Sequence, residues 1–225
     1  MKRVYRKPLL VALAASALAG CDSDDDPVTV TPPPPPAMAT LEVTVTNLTN
    51  AQPLSPVGVI AHMDGYSVFS VGDPASAGLE ELAEGGDNSS LLAEADADAA
   101  VIATASGAAP IGPAGTETIS LEVLESELAG LRISTSTMLV NTNDAITMLD
   151  GMDVSSLQAG DSLSARTIAY DAGTEANTEL AAHIPGPAGG GEGFNAARDD
   201  SFGRVAMHTG VVGQDDGFAG SDLDG

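Results

Sequence analysis

Apolar and polar residues alternate in several short segments of the chain, and this period of two is typical of half-buried β-strands. Residues 41–47 alternate in this way and are rich in β-branched side chains. In residues 116–123, Ile119, Leu121 and Val123 fall on one face. Further strands are predicted over residues 57–62, 131–140, 162–170 and 204–208. The chain is therefore expected to consist mainly of short strands.

Two short helices are predicted in the first half of the chain. Asp73, followed by proline, is typical of a helix start, and apolar residues at helical spacing continue to the glycines at 85–86, which end the helix. A second helix is predicted over the alanine-rich residues 90–105, although Asp96 and Asp98 favour a loop equally well. Short strands with early helices predict a mainly β fold, an antiparallel β-sandwich with one or two inserted short helices.

Residues 1–20 resemble a bacterial lipoprotein signal peptide. Four basic residues precede an apolar run that is too short to span a bilayer, and the run ends in Leu18-Ala19-Gly20-Cys21. That ending resembles the lipobox, whose cysteine becomes the lipidated first residue of the mature protein. We therefore predict that Cys21 is the lipid attachment site and that the exported protein is held on a membrane by its N-terminal lipid anchor. The alternative is an ordinary secretory signal in which the cysteine is incidental.

Residues 21–39 are predicted to form a tether between this anchor and a domain over residues 40–225. Four of the five residues 22–26 are aspartates, and residues 32–36 are all proline, which favours an extended spacer. Asp22 follows the cysteine, and in some Gram-negative bacteria an aspartate there favours the inner membrane. We expect the protein to be anchored in the bacterial cell envelope, either on the periplasmic face of the inner membrane or on the outer membrane.

The charge of the chain excludes several classes of function. Eight basic residues face 32 acidic ones, a formal charge of −24. Without the signal peptide, four arginines and no lysine remain against the 32 acids, which gives −28. Such a chain repels phosphate backbones, so no nucleic-acid partner is expected. Mechanisms that need a lysine are excluded as well. Cations and cationic groups are the expected companions of this surface.

Acidic residues cluster at two predicted turns. Asp171 and Glu175 follow the end of a predicted strand, with Gly173 between them to permit a left-handed turn. Asn143 and Asp144 lie just past another strand. Carboxylates at one end of a sandwich suit a hard cation, and Ca²⁺ takes about 6–8 oxygen ligands. The alternative is that these acidic side chains are simply solvated.

Three segments, in order, resemble the spondin N-terminal domain family, to which F-spondin and mindin belong. They are residues 44–62 (TVTNLTNAQPLSPVGVIAH), 75–87 (ASAGLEELAEGGD) and 170–175 (YDAGTE). The resemblance spans roughly residues 41–210 and implies an extracellular β-sandwich with one calcium site at one end. It implies that Asp171 and Glu175 are metal ligands, with Asp144 from the neighbouring loop and the carbonyl of Asn143 as a fourth. In the animal members the domain is tied to adhesion and matrix binding.

The chain departs from the family in three respects. Glu175 stands where animal members carry aspartate, and their disulfide-forming cysteines are absent. In the family, an acidic segment rich in glycine and aspartate is followed by a closing strand, whereas this chain stops at Gly225. We therefore expect either a longer natural sequence or a sandwich with an open edge.

The sequence predicts a lipid-anchored, calcium-binding envelope protein that binds a protein or glycan surface partner. The alternative is a metal-free structural surface lipoprotein. An enzyme is not expected, because no nucleophile–base pair is convincing: His62 with Asp64 resembles a base and its orienting partner, but no matching serine motif accompanies it. The three histidines are too scattered to favour zinc.

Overall fold

The computed structural model describes residues 32–178, 180–196, 203–210, 214–215 and 219–220. The predicted signal peptide, Cys21 and the acidic run at 22–26 lie outside the described residues. Residues 32–37 are exposed and have no regular structure before the first strand begins at Met38. Among the described residues, no helix has the length and the apolar run needed to cross a bilayer.

The described residues form eight strands and two short α-helices. In chain order the elements are β1 (Met38–Thr46), β2 (Gly58–His62), α1 (Ala77–Gly85), α2 (Ser89–Asp96), β3 (Val101–Ser106), β4 (Thr116–Leu124), β5 (Arg132–Met138), β6 (Ala145–Asp153), β7 (Ile168–Asp171) and β8 (Ala206–Met207). Short 3₁₀ turns occupy Glu125–Glu127 and Ala181–His183.

The strands make two antiparallel sheets. One contains β1 and β4, and the other has six strands in the order β3-β2-β5-β6-β7-β8. The mainly β, antiparallel sandwich with two short helices that the sequence predicts is therefore confirmed.

The core has two parts, because the six-stranded sheet is covered on both faces. Val59 and Ala61 of β2 pack in a cluster with Ile119 and Leu121 of β4. Ile60, on the opposite face of β2, packs in a second cluster with apolar side chains of both helices. All five residues of β2 are buried, so this strand forms the centre of the fold.

The predicted second helix is wrong in its second half. The helix ends at Asp96, and Val101–Ser106 forms strand β3, paired with β2. Between them Asp98 closes a turn, where its carboxylate accepts a hydrogen bond from the amide of Ala100 at 2.8 Å. This is the loop that Asp96 and Asp98 favour in the sequence, and the β-branched residues of 101–104 then suit a strand.

Other elements also differ from the prediction. Helix α1 starts after Ser76, whose hydroxyl accepts a hydrogen bond from the amide of Leu79 and caps the helix, and not at Asp73. Only the end of the strand predicted over residues 162–170 is formed, within β7, and residues 162–167 are exposed without regular structure. The alternation pattern does not predict strand β6, since its first two residues are buried on opposite faces.

Candidate functional site

The predicted ligands Asp144 and Asp171 lie next to each other at one end of the six-stranded sheet. Asp171 ends β7 and pairs with Ala145, the first residue of β6. Because β6 and β7 are antiparallel neighbours, the turn before β6 and the turn after β7 meet at this end. The amide of Ala172 donates a hydrogen bond to the carbonyl oxygen of Asp144 at 3.2 Å, which joins the two turns.

The carboxylate of Asp144 is buried, and only one of its two oxygen atoms accepts hydrogen bonds from the described residues. Its side chain is 1 % exposed. Oδ2 accepts hydrogen bonds from the backbone amides of Thr174 at 2.9 Å and Glu175 at 3.0 Å. Oδ1 is also buried and has no hydrogen-bond partner among the described residues. A buried carboxylate oxygen left without a donor is costly, so this atom needs a proton or a cation.

Asp171 shapes the turn that supplies those amides. Its Oδ1 accepts from the amide of Gly173 at 2.8 Å, and its Oδ2 accepts from the side-chain amide of Asn177 at 2.7 Å. Gly173 has a φ of +71°, and a Cβ there would lie 2.3 Å from the carbonyl oxygen of Arg204. The left-handed turn predicted at Gly173 is therefore confirmed, and the position excludes a side chain.

Glu84 is a fourth acidic residue of this site that the sequence did not indicate. It lies in the last turn of α1, is 1 % exposed, and accepts a hydrogen bond from the amide of Asn195 at 3.1 Å. It is buried because the segment around Phe194 covers this end of the helix, where a Cβ on Gly85 would lie 3.2 Å from that of Phe194. The contact spans more than 100 residues of chain, so no local pattern could reveal it.

The electrostatics of the site oppose a negative charge on Asp144. The pKa of Asp144 is raised from its ordinary 3.8 to about 7, first by burial and then by the carboxylates of Asp171 and Glu84, while the amide hydrogen bonds from Glu175 and Thr174 offset part of the rise. In the described part of the chain, no arginine forms an ion pair with Asp144 or Asp171. A cation that joined the site would relieve this repulsion.

The predicted residues share one end of the sheet but do not form a complete metal cage. Glu175 is 1 % exposed and Asn143 is 4 % exposed, and the side-chain amide of Asn143 donates to the carbonyl oxygen of Ala176 at 3.3 Å. Within the described ranges, no group of three or more His, Cys, Asp or Glu side chains is placed to hold a metal ion. The candidate metal-ligating atoms are all oxygens, which suit Ca²⁺ better than zinc. Oδ1 of Asp144, which has no hydrogen-bond partner among the described residues, is suited to bind a cation.

The histidine pair considered from the sequence does not form. Asp64 is exposed and lies 3.5 Å from Arg132 in an ion pair. His62 is fully buried instead: its Nδ1 bonds to the carbonyl oxygen of Met63 at 2.7 Å and its Nε2 to the hydroxyl of Ser134 at 2.9 Å. Ser134 is also fully buried. A substrate has no access to this pair, so its role is structural.

A scan against protein-family models gave no match. A search of curated proteins gave no significant match either.

Proposed function

We propose that the chain is an exported, lipid-anchored envelope protein whose spondin-like β-sandwich binds Ca²⁺ and serves in adhesion to a surface or matrix partner. The supporting observation is the buried Oδ1 of Asp144, which lacks a donor in the described structure and belongs to a carboxylate in the field of Asp171 and Glu84. An oxygen-only, electronegative and desolvated end of a sandwich is a suitable environment for a hard divalent cation.

The residues that would hold the cation come from three elements. Asp144 precedes β6, Asp171 ends β7, and Glu175 follows in the next turn, with the carbonyl of Asn143 as a further oxygen. Glu84, from α1, adds negative charge to the same environment. When bound, Ca²⁺ would supply positive charge to these oxygens and tie the two turns together. A metal-linked turn at one end of the sandwich would then present a fixed surface to a partner.

Calcium-dependent thermal unfolding of the full chain tests this proposal. We expect EDTA to lower the melting temperature and calcium to restore it. At a free calcium concentration of 100 times Kd the stabilisation is about 2.7 kcal/mol, which corresponds to roughly 5–10 °C for a domain of this size. Asp171→Asn should lose most of this shift, whereas Asp161→Asn, an exposed change of the same kind, should keep it. A full calcium response in Asp171→Asn would refute the assigned site.

Terbium luminescence gives a second measurement that depends on position. The chain has no tryptophan and three tyrosines, and Tyr170 directly precedes Asp171. Terbium bound at the site should therefore emit when tyrosine is excited, and calcium should displace it. Tyr170→Phe should remove most of the emission, whereas Tyr66→Phe should leave it. Emission that follows Tyr66 would place the ion elsewhere.

The second candidate is a metal-free structural lipoprotein. Two observations favour it: Asp144 already accepts two backbone hydrogen bonds that fix the turn, and the described residues lack a preformed cluster of three ligands. In that case a proton on Asp144 takes the place of the cation. This candidate predicts no melting shift with millimolar calcium, so the same experiment separates the two.

A further inference from the structure

A cavity of about 540 Å³ lies beside β1. Its walls include Leu41, Val43 and Val45 of β1, the facing surfaces of β5 and β6, and residues 161–169. No residue of β4 lines it, although β4 is the partner strand of β1. The cavity therefore borders the edge of β1 that faces away from β4.

Exposed apolar side chains surround this cavity. Leu48 is 75 % exposed, and Leu163 and Ile168 are each 50 % exposed, and all three line it. Large apolar side chains exposed together around a cavity of this size are typical of a binding site.

Within the described part of the chain, the main chain of β1 presents unpaired hydrogen-bonding groups to the cavity. The amide of Asn47 donates to Gly115 and its carbonyl oxygen accepts from Ala114, both at 2.9 Å, so both groups point towards the β4 side. Because these directions alternate along an antiparallel strand, the groups of Thr46, Thr44, Glu42 and Thr40 point the other way. Among the described strands, β1 pairs with β4 alone.

This free edge discriminates between two kinds of occupant. An aliphatic chain would cover the apolar walls, but it would strip water from amides and carbonyls that it cannot bond. An added strand bonds them and places every second side chain against Leu41, Val43 and Val45. We propose that β1 accepts an extended segment of a partner polypeptide as a third strand, with aliphatic residues facing inward and basic residues facing outward.

Charge determines the outward residues and disfavours a second copy of this chain. Glu42 lies exposed in the middle of β1, and Glu122 lies diagonally across on β4. A neighbouring strand therefore gains from a lysine or arginine beside Glu42. The facing wall carries one acidic residue, Asp161, and one basic residue, Arg166, so their formal charges cancel. A second copy would bring its own Glu42 and a formal charge of −24, which repels.

Peptide binding to the full chain tests the inference. The probe is a fluorescein-labelled seven-residue peptide in which valine alternates with lysine and threonine, and fluorescence anisotropy measures its affinity. The buffer contains EDTA, so the result is independent of the proposed calcium site. We expect the wild type to bind this peptide about tenfold or more tightly than its glutamate counterpart, since 1.4 kcal/mol is about a tenfold change. Glu42→Lys should reverse that preference.

Two variants of Thr44, one to proline and one to valine, test whether the free edge of β1 binds the peptide. Thr44→Pro removes an amide that points to the cavity and leaves the ladder to β4 intact, and proline is tolerated on such an edge. It should weaken binding about tenfold, because it removes one backbone hydrogen bond and the proline ring also obstructs the added strand. Thr44→Val keeps the amide but loses the hydroxyl contact with Thr118 at 2.8 Å, so its affinity should stay near that of the wild type.

Three results would overturn the inference. The first is equal affinity of the Thr44→Pro variant and the wild type. The second is undiminished binding of a peptide N-methylated at its ladder-forming amides, a comparison that needs only the wild type and decides the matter if Thr44→Pro fails to fold by circular dichroism. The third is self-association of the wild type in sedimentation, abolished in Thr44→Pro, because the occupant would then be a second copy.

Discussion

Asp144→Asn in the calcium-free protein should be more stable than the wild type at pH 8. Burial and neighbouring carboxylates raise the pKa of Asp144 from its ordinary 3.8 to about 7. Each unit corresponds to about 1.4 kcal/mol, so the ionised group opposes folding by roughly 4 kcal/mol above pH 7. Asparagine has no charge to bury, and its carbonyl oxygen can still accept from Thr174 and Glu175. Allowing for imperfect geometry of the new amide, we expect a gain of roughly 2–4 kcal/mol.

The pH dependence of this gain has a definite sign. The native state binds the Asp144 proton more tightly than the unfolded state, so unfolding releases a proton between the two pKa values, 3.8 and about 7. The contribution of this group to stability therefore falls as pH rises through that window and is constant above it. The advantage of Asp144→Asn should be largest at pH 8 and less than half as large at pH 5.

Urea unfolding in EDTA at pH 5 and pH 8 measures these quantities. The chain carries many other acids, so the informative quantity is the difference between wild type and variant at each pH. Glu122→Gln removes an exposed charge on β4 and should show little pH-dependent difference. The Asp144→Asn variant should also fail to gain stability from calcium. If Asp144→Asn were less stable than the wild type at pH 8, or its advantage grew towards pH 5, the account of a buried, uncompensated charge would be wrong.

Two further substitutions test the supports of the fold by thermal unfolding. Gly173→Ala should lower the free energy of unfolding by about 3 kcal/mol or more, because its Cβ would lie 2.3 Å from the carbonyl oxygen of Arg204 at a φ of +71°. The control Gly65→Ala, at a φ of +98° with no atom within 4 Å, should cost about 1 kcal/mol. Equal costs for the two variants would refute the steric reasoning. Ser134→Ala should lower the free energy of unfolding by about 2–3 kcal/mol, because it leaves buried His62 without its Nε2 partner. The control Ser136→Ala should cost less, because it removes a buried hydroxyl that has no partner in the described structure. A loss as large as that of Ser134→Ala would contradict this reasoning.

Local patterns predicted the elements whose signals are local. Residues 116–123 alternate because β4 is buried on one face only, and the structure has a strand there. The glycines at 85–86 end α1, where Gly86 adopts the left-handed conformation with a φ of +72°. The turn at Gly173 was predictable for the same reason.

Elements fixed by contacts distant in sequence were missed. Residues 90–105 have the alanine content of a helix, but pairing with β2 makes their second half a strand. Strand β6 lies between β5 and β7, and Ala145 and Ile146 are both buried, so period-two alternation is lost. For the candidate site, the sequence indicated Asp144 and Asp171 through their turns, whereas the burial of Glu84 depends on a segment more than 100 residues later.

The position of the acidic residues matters more to this protein than their number. Among the described residues, most acidic side chains are exposed and lose little by being ionised, because they are solvated. Asp144 differs, since it is 1 % exposed and lies in the field of Asp171 and Glu84. These residues belong to the sheet and to the helix layer that packs on it. Unless a proton or a cation compensates it, their repulsion opposes the packing of α1 against the start of β6. The same cluster thus links the stability of the helix–sheet contact to whatever positive charge the surroundings supply.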